Sequence, residues 1–159
     1  MNKAYLLTGG NMGNREKNLA RAKKLISEQA GKVTRASSLY ETAAWGKTDQ
    51  PSFYNQALEL ETTLPPKDLL KLLLEIEKKL GRQRDEKYGP RTIDIDILLY
   101  GDQIFNDPQL RIPHPELQNR RFALTPLAEI GPGLVHPVFK KSITELHAIC
   151  TDTLEVTRK

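Results

Sequence analysis

Cysteine is almost missing from this chain: Cys150 is the single one in 159 residues, so neither an intramolecular disulfide nor a cysteine metal cluster is available. Long apolar runs are lacking as well. The first eight residues are too short an apolar stretch for a signal peptide or a membrane span, and with the lone thiol they lead us to expect a cytoplasmic protein that meets no membrane. Residues 9–14 lack the lysine and spacing of a phosphate-binding P-loop. Also missing are a nucleophile elbow, a protein-kinase glycine-rich loop and cysteine–histidine metal spacing.

What is present fits one ordinary domain spanning residues 1–159, with a polar tail from about residue 150. Charged residues make up 28% and hydrophobic ones 38%, a normal balance for a folded chain. A net charge of +4 favours an anionic partner. Much of that excess is local, in Lys78, Lys79, Arg82, Arg84, Lys87 and Arg91.

Hydrophobic spacing predicts a strand over residues 4–8, a glycine-rich loop over 9–13, and a helix from 15 to about 30 with Asn14 as its N-cap. A second strand is expected over 32–40, a long loop over 41–52, and an alternating strand over 53–60. Pro65 and Pro66 open the clearest helix, whose stripe of Leu69, Leu70, Leu73, Ile76 and Leu80 ends at Gly81. A basic loop over 82–91 then leads to a strand over 93–100, in which Ile93, Ile95, Ile97 and Leu99 oppose Asp94 and Asp96. The order β-α-β-β-α-β is that of an α+β, ferredoxin-like core, an antiparallel sheet with helices on one face. Beyond it we expect a hairpin turning at Gly101 and Asp102, a helix over about 122–130, and a short amphipathic piece over 142–149.

Asp94 and Asp96 stand at i and i+2 of a strand, so both carboxylates leave the same face, with Cα atoms roughly 6.5 to 7 Å apart. Such a pair suits a hard divalent cation that also takes phosphate oxygens. A solvated sheet face, or a salt bridge to Arg91, is the ordinary alternative. Arg82, Arg84 and Arg91 add guanidinium forks for phosphate, and Gly81 and Gly89 flank their loop like hinges. Phe53 and Asn55 share a strand face and Phe122 opens a later segment, so together they could line a flat slot for a planar heterocycle.

The run Lys87-Tyr88-Gly89-Pro90-Arg91-Thr92-Ile93-Asp94-Ile95-Asp96-Ile97-Leu98 resembles the signature of the 6-hydroxymethyl-7,8-dihydropterin pyrophosphokinases. Glu41-Thr42, Gly46, Asp49-Gln50-Pro51, Phe53, Asn55, Gly81-Arg82, Arg84, Pro113-His114-Pro115, Asn119-Arg120, Phe122 and Pro126-Leu127 extend the resemblance over residues 4–138. It implies transfer of the pyrophosphoryl group of ATP to the pterin hydroxymethyl oxygen with release of AMP, a step of folate synthesis. Asp94 and Asp96 would then hold two magnesium ions, and Arg82 and Arg91 would belong to a mobile catalytic loop. Phe53 and Phe122 would sandwich the pterin. Thr42, Asn55, Asp94 and the segment Ala43, Ala44 and Trp45 would meet the rest of it. Glu77, Arg84, Arg91, Ile97, His114 and Arg120 would fall on the nucleotide side.

The chain departs from the family pattern in places. Gly10 stands where many members carry serine, Ala43 and Ala44 replace commoner prolines, and Tyr88 holds a position often occupied by tryptophan. A monomer binding no nucleic acid is expected. The two rival readings are an RNA-binding module on the same fold, disfavoured by aspartates on its central strand, and a magnesium-dependent transferase with another acceptor.

Overall fold

In chain order the elements are β1 (Asn2–Gly10), α1 (Arg15–Gln29), β2 (Lys32–Ala36), β3 (Tyr40–Thr42), β4 (Phe53–Thr62), α2 (Pro66–Lys79), β5 (Asp94–Tyr100), β6 (Phe105–Asp107), β7 (Leu110–Ile112), α3 (Arg121–Ile130), α4 (Ile143–Ile149) and β8 (Val156–Arg158). They come from a computed structural model that describes residues 1–43, 51–81 and 93–159. The main sheet runs β5-β1-β4-β3-β8, with β2 also paired to β4, and every pairing is antiparallel. This is the ferredoxin-like arrangement expected from the order of elements.

Both helices of that unit start and pack as the sequence patterns predict. The Asn14 side chain caps α1 by accepting from the Lys17 N–H at 3.0 Å, satisfying a donor that has no partner within the helix. Leu19, Ala22 and Ile26 of α1 meet Leu69, Leu73 and Ile76 of α2 over Leu6, Leu58, Leu60, Ile95 and Ile97 of the sheet. All are buried, and each large side chain so placed contributes about 1.5–3 kcal/mol.

The other face of the sheet is less open than the sequence implied. Ala123, Leu124 and Leu127 of α3, with Ile143 and Leu146 of α4, form a second core over Tyr5, Leu7, Ala57, Leu98 and Leu99. Leu99 therefore lies opposite to the expected side. Tyr5 pairs with Leu99 while Leu6 pairs with Ile97, so Leu98 is an extra residue in the β5 ladder. Such a bulge flips the alternation and gives both faces of β5 an apolar anchor.

Four further expectations change. The strand expected over 32–40 is broken into β2 and β3 because the Ser37 hydroxyl accepts from the Ala57 N–H at 2.9 Å, a side-chain bond in place of a ladder bond. Gly9 and Gly10, expected in a loop, continue β1 opposite Asn55 and Tyr54. Gly101 and Asp102 do turn, with the Gln103 N–H donating to Tyr100 O at 3.1 Å, but the hairpin that follows pairs β6 with β7 and turns at Pro108 and Gln109. The polar tail is not free either: β8 adds a strand to β3 through the pairs Tyr40 with Arg158 and Thr42 with Val156. Among the described residues no helix is long and apolar enough to cross a membrane.

Candidate active site

Sheet register assembles the site. Asp94 of β5 lies beside Gly9 of β1, which lies beside Asn55 of β4, which lies beside Tyr40 of β3. One row further along β5, Asp96 lies beside Leu7, and at the other edge Phe53 pairs with Thr42. Directly opposed residues of antiparallel strands share a face, so Asp94, Asp96, Asn55, Phe53 and Thr42 all project to one side. The apolar alternation on the reverse side, Tyr54 and Ile95 against the helices, is what turns them there.

Gly9 has a steric purpose that sequence reading missed. A Cβ at this position would stand 2.3 Å from Asn55 Oδ1, so only glycine lets the amide lie across β1. No local pattern marks this; only the register does. Asn55 is 5% exposed and Thr42 4%, both polar side chains taken out of water. Among the described residues the Thr42 hydroxyl finds no hydrogen-bond partner. A buried polar atom left so costs about 1–3 kcal/mol, which a ligand with a polar edge would recover.

Phe122, the second residue of α3, is half-buried against the second core, and the Arg120 guanidinium lies 5.6 Å from its ring centroid. On the β5 side, a cleft of about 380 Å³ opens between α2, β5 and the β6–β7 hairpin. Leu70, Ile97, Pro108 and Leu110 give it apolar walls, while Asp96, Arg111 and His114 add polar groups. The cleft thus reaches from an apolar recess to one of the two carboxylates.

His114 Nδ1 accepts from the Glu116 N–H at 3.1 Å, which leaves Nε2 to carry the proton of the neutral ring. Burial, then the positive charge of Arg120, pushes its pKa down to about 4 against the opposing pull of Glu116 and Asp94. At neutral pH it is an uncharged donor. Glu77 is 2% exposed, and its Oε2 accepts from the Ile95 N–H at 2.7 Å, tying α2 to the residue between the two aspartates. Asp94 and Asp96 are half-buried. Among the described residues no three histidines, cysteines or acids gather as a metal cage. Two carboxylates with the remaining positions left to phosphate and water is how a magnesium ion is bound beside a nucleotide, so the donor set fits that ion.

The structure therefore brings together Asp94, Asp96, Asn55, Phe53 and Thr42, and places Ile97 and His114 on the cleft with Glu77 behind β5. Ala43 is exposed just beyond β3. Ala44, Trp45, Arg82, Arg84 and Arg91, together with Tyr88, lie outside the described residues.

Comparison with known proteins supplies an independent line. A sequence model of the 7,8-dihydro-6-hydroxymethylpterin-pyrophosphokinase family matches residues 5–132. The chain is 40% identical over 141 residues to a 2-amino-4-hydroxy-6-hydroxymethyldihydropteridine pyrophosphokinase of Aquifex aeolicus, covering 89% of this chain and 88% of that one. It is 46% identical over 130 residues to the protein of that name in Bacillus subtilis, covering 81% and 78%. Among solved structures, HPPK-DHPS of Plasmodium falciparum superimposes with a TM-score of 0.74 at 19% identity, over 93% of this chain and 43% of that one. At that identity the likeness concerns the fold.

Proposed function

The chain belongs to the 7,8-dihydro-6-hydroxymethylpterin-pyrophosphokinase family, and from that premise we propose that its aspartate face joins ATP, with magnesium, to 6-hydroxymethyl-7,8-dihydropterin. As a member it is a pyrophosphokinase of folate biosynthesis. The observation that carries the reading of the site is the row Asp94, Gly9, Asn55 on one sheet face, with a Thr42 hydroxyl beside Phe53 that is unpartnered among the described residues.

In this reading the pterin lies between Phe53 and Phe122, with Thr42 and Asn55 at its polar edge. The ATP base takes the apolar end of the cleft beside Ile97, and His114, its Nδ1 accepting from the Glu116 N–H, offers its Nε2 proton to a phosphate or ribose oxygen. Arg120 lies on the same side. Asp94 and Asp96 would hold magnesium, two ions in the family pattern, which neutralises triphosphate charge when bound. The hydroxymethyl oxygen attacks the β-phosphorus, the bond from that phosphorus to the oxygen bridging it to the α-phosphate breaks, AMP departs with the bridging oxygen and its electron pair, and the hydroxyl proton passes to solvent water. Positioning and charge neutralisation carry such transfers, which is the task left to Arg82, Arg84 and Arg91.

Incubation with ATP, magnesium and the pterin, followed by separation of nucleotides, tests the proposal. AMP with pterin pyrophosphate is the expected result. ADP would show ordinary phosphoryl transfer, and no turnover by folded protein would sink the reading. Asp96→Ala should lower turnover by more than about a hundredfold, since losing even an outer-shell partner of a metal costs 10- to 100-fold. Circular dichroism should stay unchanged, because the carboxylate sits at the half-buried rim rather than in either core.

A further inference from the structure

Thr42 and Phe53 form the last pair of the β3–β4 ladder, and β3 is only three residues long. Ladder ends fray unless something beyond the ladder holds them. The preceding pair, Glu41 with Tyr54, turns its side chains to the opposite face of the sheet, where α1 lies. Arg15, the first residue of α1, meets both members of that pair. Its guanidinium lies 3.9 Å from the Tyr54 ring centroid, and Nη1 is 3.5 Å from Glu41 Oε2.

The same nitrogen donates to Ser52 O at 2.9 Å and to Ser52 Oγ at 2.8 Å, and the Ser52 hydroxyl donates in turn to Glu41 Oε2. One residue earlier, Asn11 Nδ2 donates to Pro51 O at 3.1 Å. The Ser52 hydrogen bond, together with Arg15, holds the Glu41 carboxyl below its usual range, so the pair is charged at neutral pH. Stacking over the ring calls for a planar guanidinium, while the polar contacts all come from Nη1, so a lysine ammonium reproduces the arrangement only in part.

We infer that Arg15 is a positioning residue of the pterin slot: from the face away from the substrate, it pins β3 to the start of β4 so that Thr42 and Phe53 stay in binding register. The inference rests on the reading that Thr42 and Phe53 touch the pterin. It assigns Arg15 no contact with substrate and no part in nucleotide binding, which takes place across the sheet at β5.

Calorimetric titration of the wild-type protein, Arg15→Met and Arg15→Lys with 6-hydroxymethylpterin tests it, in magnesium and a saturating non-hydrolysable ATP analogue. Arg15→Met keeps much of the apolar stem and removes the donors. Pterin affinity should fall about tenfold in Arg15→Met, with Arg15→Lys intermediate, from the loss of a charge-assisted hydrogen-bond set. Affinity for the nucleotide analogue, titrated alone, should stay within about twofold, and amide exchange at Thr42 and Phe53 should quicken.

Equal pterin affinity in Arg15→Met and wild type overturns the inference, as does an equal fall for both ligands, which would show general loosening. If Arg15→Met does not fold, Glu41→Gln decides. It keeps the Ser52 hydrogen bond and removes the charge pairing, so it should weaken pterin selectively, and unchanged affinity overturns the inference. A wild-type protein that binds the nucleotide but not the pterin instead defeats the underlying reading of Thr42 and Phe53, and the inference with it.

Discussion

His114 shows how the surroundings of one side chain set its protonation state. In sequence it is a histidine between two prolines; in the fold its backbone N–H donates to Leu98 O at 3.0 Å and its Nδ1 is occupied by the Glu116 N–H. A ring held neutral binds fewer protons folded than unfolded. With a folded value of about 4 and an ordinary value of 6.5, its stabilising contribution is complete above pH 6.5 and is lost as pH falls through 4. His136 and His147 are also shifted down, chiefly by burial, so they act in the same direction. Only a comparison isolates His114. Between pH 7 and pH 4.5 the urea midpoint of wild type should fall further than that of His114→Gln, and nitrogen NMR should place the titration of the ring well below 6. A midpoint near 6.5 would show that the ring is not held neutral by the fold.

At the scale of elements, what could be read from sequence was whatever has a strong period. The α2 stripe, the Asn14 cap and the alternation of β4 each follow from local spacing. β8 could not be read this way, because its three residues are half-buried or exposed and it exists only by pairing with the edge of β3. The bulge at Leu98 was invisible too, since a run of apolar residues carries no mark of the point where its alternation slips. Glu77 belongs to the same class of surprise: an acid on the apolar stripe of α2, buried and bonded to Ile95. Its carboxylate fixes the height of β5 between the aspartates, whatever it also offers a nucleotide. Glu77→Leu strands the Ile95 N–H in a buried place and should cost about 1–3 kcal/mol in urea denaturation. Glu77→Gln keeps an acceptor and should cost clearly less. Equal costs for the two variants would show that the Ile95 bond contributes nothing particular.

On the whole-molecule scale, local spacing made the D-x-D pair and the aromatic and amide residues around it legible as separate motifs, their union was implied by family resemblance, and the geometry that joins them was not legible. Gly9, Asn55 and Asp94 are 39 and more residues apart and become one row only through sheet register, while Arg82, Arg84 and Arg91 lie outside the described residues. That face of β5 carries two carboxylates where the proposed reading puts a triphosphate, in a chain whose net charge is +4. Overall charge favours the nucleotide, and the local pair opposes it. If magnesium resolves that opposition, nucleotide should stabilise the fold only when the metal is present. A ligand at a hundred times its dissociation constant adds about 2.7 kcal/mol, which for a chain of this size corresponds to a rise of about 5–10 °C in Tm. A non-hydrolysable ATP analogue in magnesium should give that rise, EDTA should remove most of it, and Asp96→Ala should remove it even with magnesium present. A rise that survives EDTA in the wild-type protein would mean that the basic residues hold the triphosphate without help from the metal. The aspartate pair would then have to be explained by some other partner.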